Sequence, residues 1–310
     1  MAGTRHFGEL LSARQAEGKS VCVGFDPDCG KIPVNIRQLT EDVEEQIVIF
    51  GTEIIDSTAD LAAAFKPNIA FFAQYGASGL KALVRIIQYI HDRDPGVPVI
   101  LDAKRGDIGH TNDGYVNEAF DWFKADAVTV NPYFGGTSLA PFLKRAEKGI
   151  IVLCRTSNPD SDEFQDMQVV IKDQEEIEVL SSLTDANGCV TCHSGYVTRD
   201  DRWIQVAPLY QHVAYRVSRH WNANGNCALV VGATYPEETA QVRQIVGDMS
   251  LLIPGIGAQG GDLEATVRNG RIRMGVGGMM INSSRGIIYA DYPCSEALHL
   301  DGLIRSYVNA

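Results

Sequence analysis

One stretch of this 310-residue chain gathers reactive side chains at a spacing chemistry can use: Leu101-Asp102-Ala103-Lys104-Arg105-Gly106-Asp107-Ile108-Gly109-His110-Thr111. It begins as a short apolar run ends. Side chains of an extended strand alternate with a period of two, so Asp102 and Lys104 are expected to project to the same side, with Asp107 on the loop beyond. An isolated Asp-x-Lys is usually a solvated ion pair. Here Lys66 and Asp26 end two other apolar runs and would lie beside the pair if those runs were neighbouring strands. Lysines alternating with carboxylates in a low-dielectric mouth hold one another ionised. A buried ammonium suits proton donation to a developing carbanion, and an adjacent carboxylate both positions it and crowds an anionic substrate group. Two like charges about 4 Å apart at an effective dielectric near 20 repel by about 4 kcal/mol. Loss of CO2 needs such a donor and such crowding.

Eight short apolar runs supply the strands that would position these groups: residues 20–25, 61–65, 98–101, 127–130, 149–154, 228–232, 250–254 and 278–281. Each is nearly continuously apolar, as parallel strands are when helices cover one side and packed side chains the other. An open doubly wound sheet gives the same pattern with fewer strands, so eight runs favour a closed α/β (β/α)8 TIM barrel. Polar residues cluster just past the runs: Asp26, Lys66, Asp102, Asn131, Thr156 with Ser157, Thr234, Gln259, and Ser284 with Arg285. In a barrel those ends converge on one rim, where active sites of this fold are built. Between the runs, segments such as 79–91 carry Leu80, Leu83, Ile86, Ile87 and Ile90 at helical spacing. The whole of 1–310 is expected to be one domain, with a polar surface insertion at approximately 159–205 after strand 5.

The pattern Asp-x-Lys-x-x-Asp-Ile-x-x-Thr, at Asp102, Lys104, Asp107, Ile108 and Thr111, resembles the signature of the orotidine 5′-monophosphate (OMP) decarboxylase family. The likeness extends through Gly24-Phe25-Asp26-Pro27-Asp28, Phe65-Lys66-Pro67-Asn68, Thr156-Ser157-Asn158-Pro159, Pro254-Gly255-Ile256-Gly257-Ala258-Gln259-Gly260-Gly261 and Ser284-Arg285-Gly286, in the family's order. It implies conversion of OMP to uridine 5′-monophosphate (UMP) and CO2 without metal or organic cofactor. By the same resemblance, Asp26 holds the ribose hydroxyls, and Lys66 joins the charged array. Asp102 lies against the departing carboxylate, and Lys104 protonates C6. Ser157 meets the pyrimidine and the glutamine Gln259, which sits on a loop closing over the phosphate; Arg285 binds that phosphate. Asp107, Ile108 and Thr111 would reach into the neighbouring site of a homodimer.

Composition sets the remaining bounds. With 27 Lys+Arg against 39 Asp+Glu, the net charge of −12 argues against a nucleic-acid partner. The N-terminus lacks the apolar run of a secretory signal, and no stretch approaches the roughly 20 apolar residues of a membrane span, so a cytoplasmic location is expected. Seven cysteines, several in apolar surroundings (Cys22, Cys154, Cys227), read as reduced buried thiols. Cys189-Val-Thr-Cys192-His193 has the spacing of haem attachment and half that of a zinc site, yet the chain shows no export signal and no second Cys-x-x-Cys. Arg105 and His110 read as positioning or interface residues, and Asn131 and Thr234 as second-rank candidates for lining the pocket. The nearest rivals are sugar-phosphate enzymes that share Asp-x-Lys-x-x-Asp but use Mg2+ and carry a glutamate where this chain has Lys66. A lysine there removes a hard oxygen ligand and adds positive charge. A phosphosugar-binding barrel without catalysis would show losses in the charged array, and none is visible.

Overall fold

The eight apolar runs form eight parallel strands, and between them the chain adds three more in a separate antiparallel sheet. The computed structural model describes residues 5–184, 196–199, 202–256, 260–272 and 277–309. Within these, the strands are β1 Val21–Phe25, β2 Ala62–Pro67, β3 Ile100–Arg105, β4 Ala127–Val130, β5 Gly149–Arg155, β6 Gln168–Val170, β7 Tyr196–Arg199, β8 Arg202–Pro208, β9 Cys227–Val231, β10 Leu251–Pro254 and β11 Met279–Ser283. The large sheet runs β2-β1-β11-β10-β9-β5-β4-β3. Its two outer members meet through the parallel bridges Phe65 to Val99 and Asn68 to Asp102. The result is a nearly closed (β/α)8 barrel whose seam, between β2 and β3, is its thinnest pairing.

Burial explains why the runs read as continuous apolar segments. β1, β2, β4 and β9 are buried at every position. Alternate side chains fill the barrel: Cys22, Ala64, Ile100, Ala127, Ile151, Ala228, Leu252 and Met280 form one interior cluster. The helix Phe7–Ala16 closes the N-terminal end by adding Phe7 and Leu11 to that cluster. The Phe7 ring lies against Gly149, where any Cβ would collide with it. The outward-facing side chains pack under the helices. The helix expected at 79–91 spans Gly76–Arg93 and buries Leu83, Ile86, Ile87 and Ile90.

Four strands run further than expected, β2 to Pro67, β3 to Arg105, β5 to Arg155 and β11 to Ser283. The parallel ladder continues past the apolar residues because the polar ones at the strand ends find partners across the barrel mouth. Between β5 and β9 the chain forms the short helix Asp162–Gln165 and the helix Gln174–Ser181. β8 pairs antiparallel with both β6 and β7. The motif Cys189-Cys192-His193 lies outside the described residues.

Candidate active site

At the C-terminal end of the barrel a pocket of about 480 Å³ receives side chains from the ends of all eight barrel strands. Leu153, Val230 and Leu252 make its apolar wall. Asp26, Lys66, Asp102, Lys104, Ser157 and Arg285 line it together, so residues scattered over the chain share one rim. The size is that of a small-molecule site.

The centre of the pocket is a carboxylate between two ammonium groups. Lys66 Nζ lies 3.0 Å from Asp102 Oδ2, and Lys104 Nζ 2.7 Å from Asp102 Oδ1. Lys66 is 5% exposed and Asp102 8%, whereas the Lys104 side chain is 51% exposed. Lys66 is therefore the buried holder of Asp102, and Lys104 is the lysine that faces the open pocket. Burial alone would push the Asp102 carboxyl up; the charges of Lys66 and Lys104, with the hydrogen bonds both donate, overcome this and hold it well below the usual carboxylate range. Burial likewise opposes the charge on Lys66, but Asp102 and Asp26 hold it above the ordinary lysine range. Lys66 and Asp102 thus hold each other in the ionised form.

Asp102 and Lys104 project together into the pocket as their spacing predicts, but through a bulge rather than the regular strand alternation expected. Leu101 pairs with Val128 and Arg105 with Val130, so Asp102, Ala103 and Lys104 bulge opposite the single residue Thr129. Lys104 takes the left-handed region at φ +48°, a conformation disfavoured by about 1 kcal/mol or more for a side-chain-bearing residue. Thr129 occupies the gap. Its hydroxyl receives the backbone N–H groups of Ala103 and Lys104 at 3.0 and 2.9 Å, and donates to Asp102 Oδ1 at 2.9 Å.

Around this centre lie acceptors suited to a polyhydroxylated ligand. Ser284 Oγ donates to Asp26 Oδ2 at 2.7 Å, and the other carboxylate oxygen, Oδ1, is buried without a partner among the described residues. Asn282 Oδ1 is in the same condition. Arg285 stands exposed at the mouth, on the short helix Arg285–Ile288. Ser157 lies against Gly232, where a Cβ would come within 2.7 Å of the serine Cβ; only glycine admits this approach. The neighbouring Thr156 is clasped by Gln165, whose Oε1 accepts its N–H at 2.8 Å and whose Nε2 donates to its Oγ1 at 2.8 Å. Gln165 also lines the pocket.

Three expected site residues do not join their own pocket. Asp107 and Ile108 lie on the loop after β3, with Ile108 59% exposed, and Thr111 opens the helix Thr111–Val116 that follows. That loop is ordered from inside: Asn112 accepts the Asp107 N–H at 3.0 Å and donates to the Asp107 and Ser138 carbonyls. Asp107 Oδ1 receives the Ile108 N–H at 2.7 Å. Gln259 lies outside the described residues. Asn131 and Thr234 do not line the pocket; the Asn131 carboxamide instead turns the chain by accepting from Tyr133 N at 3.0 Å. Arg105 faces away, paired twice with Glu118 at 2.9 Å. Sequence reasoning passed over Thr129, Gln165 and Asn282. Only a polar residue inside an apolar strand, at Thr129 and Asn282, hints at them, because a buried hydroxyl or amide must find a partner.

A nearly closed parallel barrel carrying a lysine–aspartate–lysine centre at its C-terminal rim defines a (β/α)8-barrel enzyme. The chain belongs to the orotidine 5′-phosphate decarboxylase / HUMPS family, whose profile matches residues 19–300. The orotidine 5′-phosphate decarboxylase of Cupriavidus metallidurans is 50% identical over 285 residues, covering 92% of this chain and 89% of that protein. The solved structure of Leishmania donovani OMP decarboxylase aligns with a TM-score of 0.75 at 35% identity, over 98% of this chain and 99% of that one. Leishmania donovani UMP synthase aligns with a TM-score of 0.79 at 36% identity; this chain spans 57% of its length.

Proposed function

We propose that the chain is an orotidine 5′-phosphate decarboxylase, converting OMP to UMP and CO2 in pyrimidine biosynthesis. The observation that carries the reading is Asp102 held between the buried Lys66 and the exposed Lys104 at the pocket. In the proposed reaction the substrate carboxylate is crowded by Asp102. The bond from C6 to the carboxyl carbon breaks, CO2 leaves, and the electron pair remains on C6. The Lys104 ammonium stabilises that pair and then gives it a proton, recovering its own from solvent. The unpartnered Asp26 Oδ1 accepts from a ribose hydroxyl, and Arg285, with Gln259, takes the phosphate. Binding energy released at the phosphate end favours the transition state at the pyrimidine end.

The family also includes HUMPS enzymes, so the family alone does not choose the reaction. Lys66 does: a metal ion beside Asp102 would face two ammonium groups that already occupy both carboxylate oxygens. We further propose that residues 1–310 act as one barrel domain with 159–205 as its insertion. It would work in the cytoplasm as a homodimer in which Asp107, Ile108 and Thr111 serve the neighbouring site. Among the described residues no helix is long and apolar enough to cross a membrane.

The test is the loss of OMP absorbance on adding enzyme in EDTA, with Lys104→Ala as control. Rapid UMP formation that the variant lacks supports the reading. Turnover of a sugar phosphate only after Mg2+ addition overturns it.

A further inference from the structure

We infer that Thr129 is a positioning residue for the decarboxylation, its hydroxyl holding the β3 bulge that sets Asp102 and Lys104 against each other. The inference rests on the proposed decarboxylase reading and extends it to a residue outside the charged array.

Thr129 sits in β4 between Val128 and Val130 and is 1% exposed. A buried threonine in such a place ordinarily satisfies its hydroxyl on a nearby carbonyl and serves only as packing. Here the hydroxyl has three partners, and their chemistry fixes its orientation. The amides of Ala103 and Lys104 can only donate, and they occupy the two lone pairs. The single hydroxyl proton is left for Asp102 Oδ1. That oxygen is therefore gripped by the hydroxyl and by Lys104 Nζ together.

The same hydroxyl replaces missing ladder bonds. Where β3 leaves register between Leu101 and Arg105, the bulge carries two part-buried amides that have no ladder partner on β4. Thr129 Oγ1 accepts both and so sustains the positive φ of Lys104. One atom thus fixes the backbone from which the proposed proton donor extends and the carboxylate against which the donor is aligned. Displacements of about 1 Å at a reacting centre change rates by about a hundredfold.

The experiment compares Thr129→Val, which keeps the shape and removes the hydroxyl, with Thr129→Ser, which keeps the hydroxyl. Single-turnover decarboxylation of OMP with enzyme in excess isolates the chemical step, and UMP titration reads the integrity of the pocket. In Thr129→Val the single-turnover rate is expected to fall about 10- to 100-fold, as for loss of a hydrogen bond to a charged group. Its UMP dissociation constant should change less than about threefold, because Thr129 bears on the alignment of the donor rather than on the nucleotide. Thr129→Ser should recover most of the rate, and amide exchange at Ala103 and Lys104 should accelerate in the valine variant alone. A valine variant as fast as wild type overturns the inference. So does a serine variant as slow as the valine one, since the methyl group would then be what matters, and so does a parallel loss of UMP binding, which would mark general collapse. If wild type itself leaves OMP intact, the parent reading fails, an outcome separate from any difference among the variants.

Discussion

Lys66 and Asp102 face each other at 3.0 Å across the seam of the barrel, where β2 and β3 meet through isolated bridges rather than a ladder. The ion pair therefore closes the fold as well as furnishing the centre of the site. Replacing Lys66 by Met should lower stability by up to about 3 kcal/mol. Lys104 still pairs one carboxylate oxygen, so the loss stays near the lower end for a broken buried pair. Activity should disappear with it. Denaturant titration reads the first effect, and an unchanged midpoint would remove the seam argument while leaving the catalytic one standing.

The depressed carboxyl groups predict an acid limb of stability. A carboxyl whose folded pKa lies below its unfolded value stabilises the fold fully above the unfolded value, near pH 4, and that contribution fades as pH falls toward the folded one. Asp126 behaves this way: burial opposes its charge, yet hydrogen bonds from His91 and Arg5 hold its pKa at about 2. Arg5 Nε reaches Asp126 Oδ1 at 2.8 Å and Arg5 Nη2 reaches Oδ2 at 2.9 Å, while the Val99 N–H donates to the same Oδ2 at 2.9 Å. The group contributes about 2 kcal/mol above pH 4, lost between about pH 4 and pH 2. Arg5→Ala should unfold at a higher pH in an acid titration followed by circular dichroism. Superimposed acid transitions for variant and wild type would contradict this account.

Much of this architecture was legible from residue order alone. Eight apolar runs mapped onto eight barrel strands because a parallel barrel buries both strand faces, and that leaves a mark every strand repeats. The convergence of Asp26, Lys66, Asp102, Lys104, Ser157 and Arg285 on one pocket followed from the fold, since strand ends of a barrel share a rim. The bulge at Lys104 was not legible. Alternation assumes regular pairing, and a slipped register depends on what the partner strand offers at one position, here Thr129. Gln165 escaped for another reason: it approaches the pocket only because the chain after β5 folds back, and nothing in its neighbours' hydrophobicity records that path.

What holds that returning chain is Arg155, the last residue of β5 and 1% exposed. Its guanidinium carbon stacks 3.7 Å from the centroid of the Tyr235 ring. It also donates to Ser161 Oγ at 2.8 Å and to Asp166 Oδ2 at 3.1 Å. Lysine cannot reproduce a planar stack with a two-pronged donor set. Arg155→Lys should therefore destabilise by about 1 to 3 kcal/mol. It should also raise the KM for OMP, because Ser161, Gln165 and the Thr156–Ser157 turn lose their common anchor. Thermal unfolding and steady-state kinetics measure both, and a KM equal to wild type would detach Arg155 from the pocket.

Asp107 and Lys104 belong to one short motif, yet they part company in space: Lys104 lines its own pocket and Asp107 does not. If Asp107 serves the neighbouring barrel, two inactive variants should restore each other. In a hybrid of Lys104→Ala and Asp107→Ala chains, one site combines both defects. The other pairs an intact Lys104 with the intact Asp107 of the second chain, and is whole. Random reassortment makes half the dimers hybrid, so the mixture should recover about one quarter of wild-type activity. The recovery must require subunit exchange: mixing after mild dissociation restores turnover, and mixing of crosslinked homodimers does not. A mixture that stays as inactive as its components would place Asp107 in service of its own chain, or outside the reaction altogether.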